Sequence, residues 1–508
     1  MSSSRSTAVV VGAGLGGMAA ALRARAKGYE VTVVDRCPRA GGRAQVFERD
    51  GFRHDAGPTV LTAPHLFDEL FELFGRNRQD YVEFVPVDPW YRFSFADGTC
   101  FDYGEDLDDT LAQIERFNPA DRSGYLALLE HSRRLYEIGY EQLGSVSFHR
   151  FATMVRQIPA LARLRADRSV WQLVCRHLED PRLRRAFSIQ PLLVGGNPFD
   201  TTSIYSLIHF LERRWGVWFA RGGTGALVDA LCRLMREVGI EIELGRTVER
   251  IETKDKAVKA VHTECGQRYE ADVVIANTDP AHLYGRLLPA GDVRTPARIK
   301  QRSARYSMGL FVLYFGTTRR YDDVAHHTIV LGDRYRSLLD DIFRRGVLSD
   351  DFSLYLHRPT ATDNSFAPPG CDSFYVLCPV PNLASSVDWA LDGPRLKQRI
   401  VSALEKRLMP GLSEAMTADF FMTPQDFASD YLSEYGAGFS ISPLFRQSAW
   451  FRFHNRAEGP RGLFLVGAGT HPGAGLPGVV TSAKVVERLL PKPTGAGRAE
   501  SAIQAAAG

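Results

Sequence analysis

Short continuous apolar runs alternate with glycines at three places along the chain, and each predicts a piece of an α/β sheet. Residues 8–11 (AVVV) form the first run and predict a buried strand, followed by glycines. A helix is expected over 18–27, Gly28 closes it, and VTVVD at 31–35 predicts a second strand, completing a βαβ unit. The second place begins at GGTGAL (222–227), where Thr224 is expected to cap a helix over 227–238 that ends at Gly239. Strands are expected after it at 240–244, 247–252, 257–263 and 272–275. The third is LFLVGAG (463–469), a buried strand running into a Gly/Pro loop and a helix over 479–490.

Two long stretches separate these pieces. Residues 105–215 read as helical and rich in arginine, whereas 305–450 mix helices with apolar strand candidates such as GLFVLYFG, FSLYLH and FYVLCPV. With 508 residues, more than one core is expected. The predicted organisation is a discontinuous dinucleotide-binding domain built from 1–104, 222–304 and 451–490. A helical insertion occupies 105–221, a substrate domain 305–450, and a disordered tail of small polar residues 491–508. A net charge of +3 does not point to nucleic acid. The seven cysteines are scattered and form no CxxC pair, which predicts reduced thiols and no metal site. No run of 18 apolar residues is present, so any membrane contact is expected from the surface.

Chemistry enters with the glycines. Gly12, Gly14 and Gly17 make GxGxxG between a predicted strand and helix, for a tight turn, close approach of backbone to a pyrophosphate, and close helix–sheet packing. The helix N-terminus then offers N–H groups to the anion, and Asp35 at the end of the next strand suits a ribose hydroxyl. The motif alone does not separate FAD from NAD. The continuation does: Arg39-Ala40-Gly41-Gly42-Arg43-Ala44, then GFRHDAGPTV at 51–60, resembles the flavoprotein family of amine oxidases, protoporphyrinogen oxidases and carotenoid desaturases.

That resemblance implies FAD, with Gly42 and Arg43 along the pyrophosphate and flavin and Arg36, Thr59 and Val60 also at the cofactor. It implies adenine contact through the strand of Val248, and ribityl and isoalloxazine contacts from Gly467, Ala468 and Val479. Amine oxidases carry a carboxylate where this chain has Ala468, so backbone N–H groups must serve there. Longer tracts narrow the resemblance to the bacterial phytoene desaturases: 192–231, 309–316, 351–357, 447–456 and GLFLVGAGTHPGAGLPGVVTSAK at 462–484. The implied fold is α/β: a Rossmann-like FAD-binding domain, a mixed-sheet substrate domain and a helical membrane-associating insertion. The implied reaction is FAD-dependent desaturation of phytoene to neurosporene or lycopene, with quinone or oxygen as electron acceptor.

Arg156 lies in a stretch the family resemblance connects with substrate handling, although relatives can carry an aspartate where this chain has Thr153. Trp215, Trp218, Phe219, Trp450 and Phe451 are candidates to line a hydrocarbon tunnel. Residues 149–185 hold nine arginines, and Phe151, Val155, Ile158, Leu161 and Leu164 recur at helical spacing, as expected of a segment docking on anionic headgroups. The expected location is therefore the cytoplasmic face of a membrane. Competing readings on the same fold are another carotenoid oxidoreductase (a hydroxyneurosporene-type desaturase or a carotene isomerase), an amine oxidase, and a non-redox prenyl carrier.

Overall fold

The computed structural model describes residues 6–494, apart from the side chains of 160, 161 and 163. A five-stranded parallel sheet runs in the order Leu463–Leu465, Val273–Ala276, Thr7–Val11, Glu30–Val34, Glu241–Glu243. Strands from three distant parts of the sequence thus make one sheet, as the apolar runs predict. Helix α1 (Leu15–Ala26) follows the first strand, and Leu15 through Ala24 are all buried. Burial on every side explains its composition of small and apolar residues, and Arg23 is admitted because Glu69 and Glu487 each take it at 2.8 Å.

Helix α2 (Phe151–Arg163) and helix α3 (Leu207–Trp215) belong to the arginine-rich insertion, helix α4 (Gly223–Glu237) packs beside α1, and helix α5 (Leu476–Leu489) lies along α1's other flank. The α4 start differs from expectation. Thr224 does not cap it: its hydroxyl donates to the Pro58 carbonyl, while its N–H donates to Asp55 Oδ1 at 3.0 Å. The cap is a carboxylate from a remote strand.

The second sheet has seven strands, ordered Met416–Met422, Gly309–Thr317, Asp372–Val380, Leu354–His357, His327–Val330, Tyr91–Ser94, Cys100–Tyr103. All neighbours are antiparallel except His327–Val330 with Tyr91–Ser94, so the sheet is mixed. Two of its strands come from 91–103, which the predicted domain boundary at 104 assigned to the dinucleotide unit. Their alternating residues bury Tyr91, Phe93, Phe101 and Tyr103 in one core with Leu111, Ile114, Tyr125 and Leu128 of the helical insertion. The helical segment therefore packs on the seven-stranded sheet.

Of the expected tail, 491–494 are held in place: Tyr29 Oη donates to the Pro491 carbonyl and Ser6 Oγ meets Thr494 Oγ1, both at 2.9 Å. The expectation for 495–508 lies outside the described residues. All seven cysteines are unbridged.

Candidate active site

At the carboxyl ends of the parallel strands, the glycine turn shapes a cradle. A Cβ at Gly17 would stand 2.0 Å from the Gly12 carbonyl oxygen, so only glycine lets α1 lie this close to the strand. Gly12 itself has φ +103°, in the left-handed region. The N-terminus of α1 has no side-chain cap and no acidic residue in its first turn, which leaves its N–H groups and dipole for an anion. Asp35, nine-tenths buried, accepts from the Ala13 N–H (2.6 Å) and the Cys37 N–H (2.7 Å). Burial pushes its carboxyl up, and those same N–H bonds oppose the shift.

The cradle opens into one cavity of about 600 Å³. Gly12, Gly14, Asp35, Arg36, Gly42, Arg43, Thr59, Val60, Val248, Gly467, Ala468 and Val479 all line it, so every cofactor position drawn from the resemblance is on its wall except Gly17, which acts from beneath. Arg36 donates to the carbonyls of Asp430 (3.0 Å) and Ser429. Arg43 donates to Ser433 Oγ at 2.9 Å, and among the described residues no carboxylate lies within ion-pair distance. Its guanidinium, pushed down by burial, keeps donors for an anionic group. The Thr59 hydroxyl is shared with Tyr355 (3.0 Å) and Tyr375 (2.6 Å), fixing the wall next to Val60. The free helix N-terminus, the glycine cradle and the unneutralised Arg43 together fit a flavin adenine dinucleotide.

Sequence reasoning missed Asn277. A Cβ at Gly14, Gly16 or Gly467 would come within 2.8, 2.8 or 2.7 Å of its side-chain amide, so these glycines make room for Asn277 between the two loops. The available signal was a polar residue directly after the VVIA strand. Arg452 was missed as well. It is 1% exposed and donates to the carbonyls of Thr470 (2.9 Å), Gln447 (3.3 Å), Ile441 (3.4 Å) and Ala468 (2.5 Å), clamping the loop after Leu463–Leu465.

Beyond the cradle the cavity is walled largely by apolar side chains, aliphatic (Leu192, Leu207, Leu211) and aromatic (Tyr205, Tyr375, Phe439). The five aromatics expected to line it do not. Trp215 packs against His65 with the rings tilted and donates to Tyr136, Trp218 donates to the Trp215 carbonyl, and Phe219 packs with Val87 and Phe366. Trp450 packs on Phe151, and Phe451 is exposed. Arg156 is also absent from the wall: it stands exposed on α2, so the structure gives it no contact with reacting atoms.

Beside the cavity, His326, His327 and His357 gather with their nitrogens within 4.8 Å of one another. Burial holds all three far down, His357 to about 3, so they are neutral. The rings of His327 and His357 stack at 22°, and such nearly parallel planes do not aim their lone pairs at a common ion.

Residues 15–486 match the family described as flavin containing amine oxidoreductase. The chain belongs to this family. Curated members similar to it include the lycopene-forming phytoene desaturase of Pantoea ananas, 48% identical with 95% of this chain and 98% of the relative covered. The corresponding protein of Pseudescherichia vulneris is 49% identical at the same coverage, and the neurosporene-forming phytoene desaturase of Rhodobacter capsulatus is 43% identical over 95% and 94%. Among solved structures, an oxidoreductase from Methanosarcina mazei superposes with a TM-score of 0.66 at 16% identity, covering 95% of this chain and 100% of that one. A putrescine oxidase follows at 0.64 and 15%, covering 95% and 98%. At such identities the flavin amine oxidoreductase fold is what these structures share with this chain. Membership settles the nucleotide as FAD, in agreement with the free donors at Arg43 and α1.

Proposed function

We propose that this chain desaturates phytoene with bound FAD, giving neurosporene or lycopene. The carrying observation is the cavity: one end is a dinucleotide cradle, and the rest is a largely apolar channel of aliphatic and aromatic side chains suited to a hydrocarbon. The high identity to phytoene desaturases over nearly the full chain supports the same substrate. Bound FAD supplies the hydride acceptor that no side chain provides. The chain's own residues hold and exclude: Gly12, Gly14 and α1 receive the pyrophosphate, Arg43 supplies positive charge, and the apolar wall keeps water from the polyene. A quinone or oxygen is the proposed acceptor of the electrons.

The proposal includes a membrane surface as the source of substrate. Phe445 is 45% exposed and also lines the cavity, which marks a mouth. Around it Phe151, Val155 and Ile158 of α2 and nearby Phe451 present exposed apolar side chains, with Arg150, Arg156 and Arg446 exposed among them. Apolar side chains dipping into an interface beside cations for headgroups suit anionic lipid. The basic face is smaller than nine arginines: Arg182 pairs with Asp180 and Asp97, Arg165 with Asp167, while Arg184 and Arg185 donate to the Leu178 and Gly332 carbonyls. Leu164 turns into the core, and the expectation for Leu161 lies outside the described side chains. Among the described residues no helix is long and apolar enough to cross a membrane.

Anaerobic incubation of the flavin-loaded protein with phytoene in anionic liposomes tests the reading. Bleaching of the flavin with formation of more conjugated carotenes is expected. A yellow protein that leaves phytoene unchanged and its flavin oxidised would overturn it.

A further inference from the structure

Each desaturation removes a proton as well as a hydride, and a hydrocarbon channel offers few places for a proton to go. Among the described residues four carboxylates line the cavity, and Asp35, Asp279 and Asp430 belong to the segments around the dinucleotide cradle. Glu212, on α3, is the carboxylate of the apolar stretch, one turn after Ile208 and next to Leu211. It is 1% exposed. Its Oε1 accepts from Tyr91 Oη at 2.9 Å, and its Oε2 is buried without a partner. A carboxyl oxygen left unpartnered in a buried site costs stability that a purely structural residue would have no reason to spend.

We propose, resting on the desaturase reading above, that Glu212 takes the proton released as each new double bond forms. As one allylic carbon gives up hydride to the bound flavin, the C–H bond of the neighbouring carbon breaks. Its electron pair becomes the new π bond and its proton passes to Glu212 Oε2. The hydrocarbon is oxidised by two electrons, the flavin is reduced by two, and the carboxylate becomes a carboxylic acid that later returns its proton to solvent. Before the transfer the same carboxylate, in a low-dielectric wall, attracts the cation-like polyene that hydride loss creates.

The surroundings match that cycle. Burial raises the Glu212 carboxyl to about 7, while the Tyr91 hydrogen bond and the charge of Arg213 pull the other way. Near neutral pH the group is therefore available in both forms, as a general base needs to be. The remaining groups that face it are uncharged: Tyr91, Tyr103 and Tyr125 are pushed up by burial, and His209 on the same helix is held down at about 4. Arg213 is committed elsewhere, to the Gly104 carbonyl (2.7 Å), the Glu105 carbonyl (2.9 Å) and Thr110 Oγ1 (2.8 Å), and does not close an ion pair with Glu212.

The test uses the full chain and three variants. Glu212→Gln keeps the shape and the acceptor for Tyr91, so flavin content and phytoene binding should stay near the parent's. Anaerobic flavin reduction by liposomal phytoene should fall at least about a hundredfold. In the parent that rate should rise with pH through about 7, and in the variant it should be flat. Infrared difference spectra, which need no flavin, should show two carboxylic acid bands titrating near neutrality in the parent, from Glu212 and Asp55, of which Glu212→Gln loses one and Asp55→Asn the other. Tyr91→Phe removes the bond that favours the carboxylate, so the Glu212 band and the rate midpoint should both move to higher pH. Glu212→Gln reducing its flavin within twofold of a phytoene-converting parent would overturn the assignment, as would titrating bands that are identical in parent and Glu212→Gln. A parent that does not convert phytoene would instead remove the substrate reading, and this role with it.

Discussion

Gly17→Ala adds a single methyl group at the tightest point of the dinucleotide cradle. Its Cβ would stand 2.0 Å from the Gly12 carbonyl oxygen, where ordinary contact begins near 3.4 Å. The oxygen is backbone and cannot rotate away, so α1 must move outward by about 1 Å or more, and overpacking of this kind costs roughly 1–3 kcal/mol. The helix is buried on every side and cannot move without disturbing α4 and α5. Its N–H groups would then miss the pyrophosphate, losing charge-assisted bonds of roughly 1.5–3 kcal/mol. That loss corresponds to about ten- to hundredfold weaker FAD binding. The assay is flavin content after purification, the dissociation constant from flavin fluorescence titration, and the melting temperature. Gly291→Ala is the control, because nothing lies within 4 Å of its added Cβ and it should match the parent. A Gly17→Ala protein that binds FAD as tightly as the control would refute the argument that close helix–strand packing sets the phosphate site.

Arg43→Ala removes a guanidinium whose hydrogen-bond partners among the described residues are Ser433 and the Ala437 carbonyl, so FAD affinity should drop about ten- to hundredfold, read by the same titration. Asp55 is completely buried, and burial raises its carboxyl from 3.8 to about 7. A raised folded-state value means that the group favours the fold fully below pH 4, and that this advantage is lost as pH climbs through about 7, by about 4 kcal/mol. Asp55→Asn keeps an acceptor for the Thr224 N–H but cannot titrate, so urea unfolding should find it less stable than the parent at pH 5 relative to pH 8; parallel changes with pH would remove the assignment. Replacing Phe151, Val155 and Ile158 together by serine should lower sedimentation with anionic liposomes while flavin content stays unchanged, and undiminished sedimentation would place the docking face elsewhere.

The parallel sheet was legible because its central strands are short, valine-rich runs, AVVV at 8–11 and VVIA at 273–276, each leading into a turn, and that signal is local. The alternation of 91–94 and 100–103 is equally local, yet it says nothing about which sheet the strands join; only their burial against the helical insertion decides that. The α4 cap was misread for the same reason. Thr224 is a good capping type in a good place, and the chain nevertheless uses Asp55, 169 positions away. The turn at Gly12, Gly14 and Gly17 was legible because glycine spacing encodes a backbone shape. Glu212 was not, because Glu212-Arg213-Arg214 reads as a solvated face of a helix, and the apolar wall around it comes from separate segments. Asn277 is a single polar residue whose importance appears only when two glycine loops close over it.

The border strand Leu463–Leu465 and helix α5 have a consequence for how the protein comes into being. The strand completes the parallel sheet beside Val273–Ala276, and the loop after it meets the glycine turn at Asn277. On the ribosome the first strand and α1 emerge hundreds of residues before these partners exist. The dinucleotide cradle cannot close until Leu463–Leu465 and α5 have been made, so flavin capture must wait for them, and a chain lacking them would expose the apolar flank of α1 that α5 covers. Flavin supply would then act on the yield of folded protein as well as on its activity, since the cofactor binds only where these distant segments have come together.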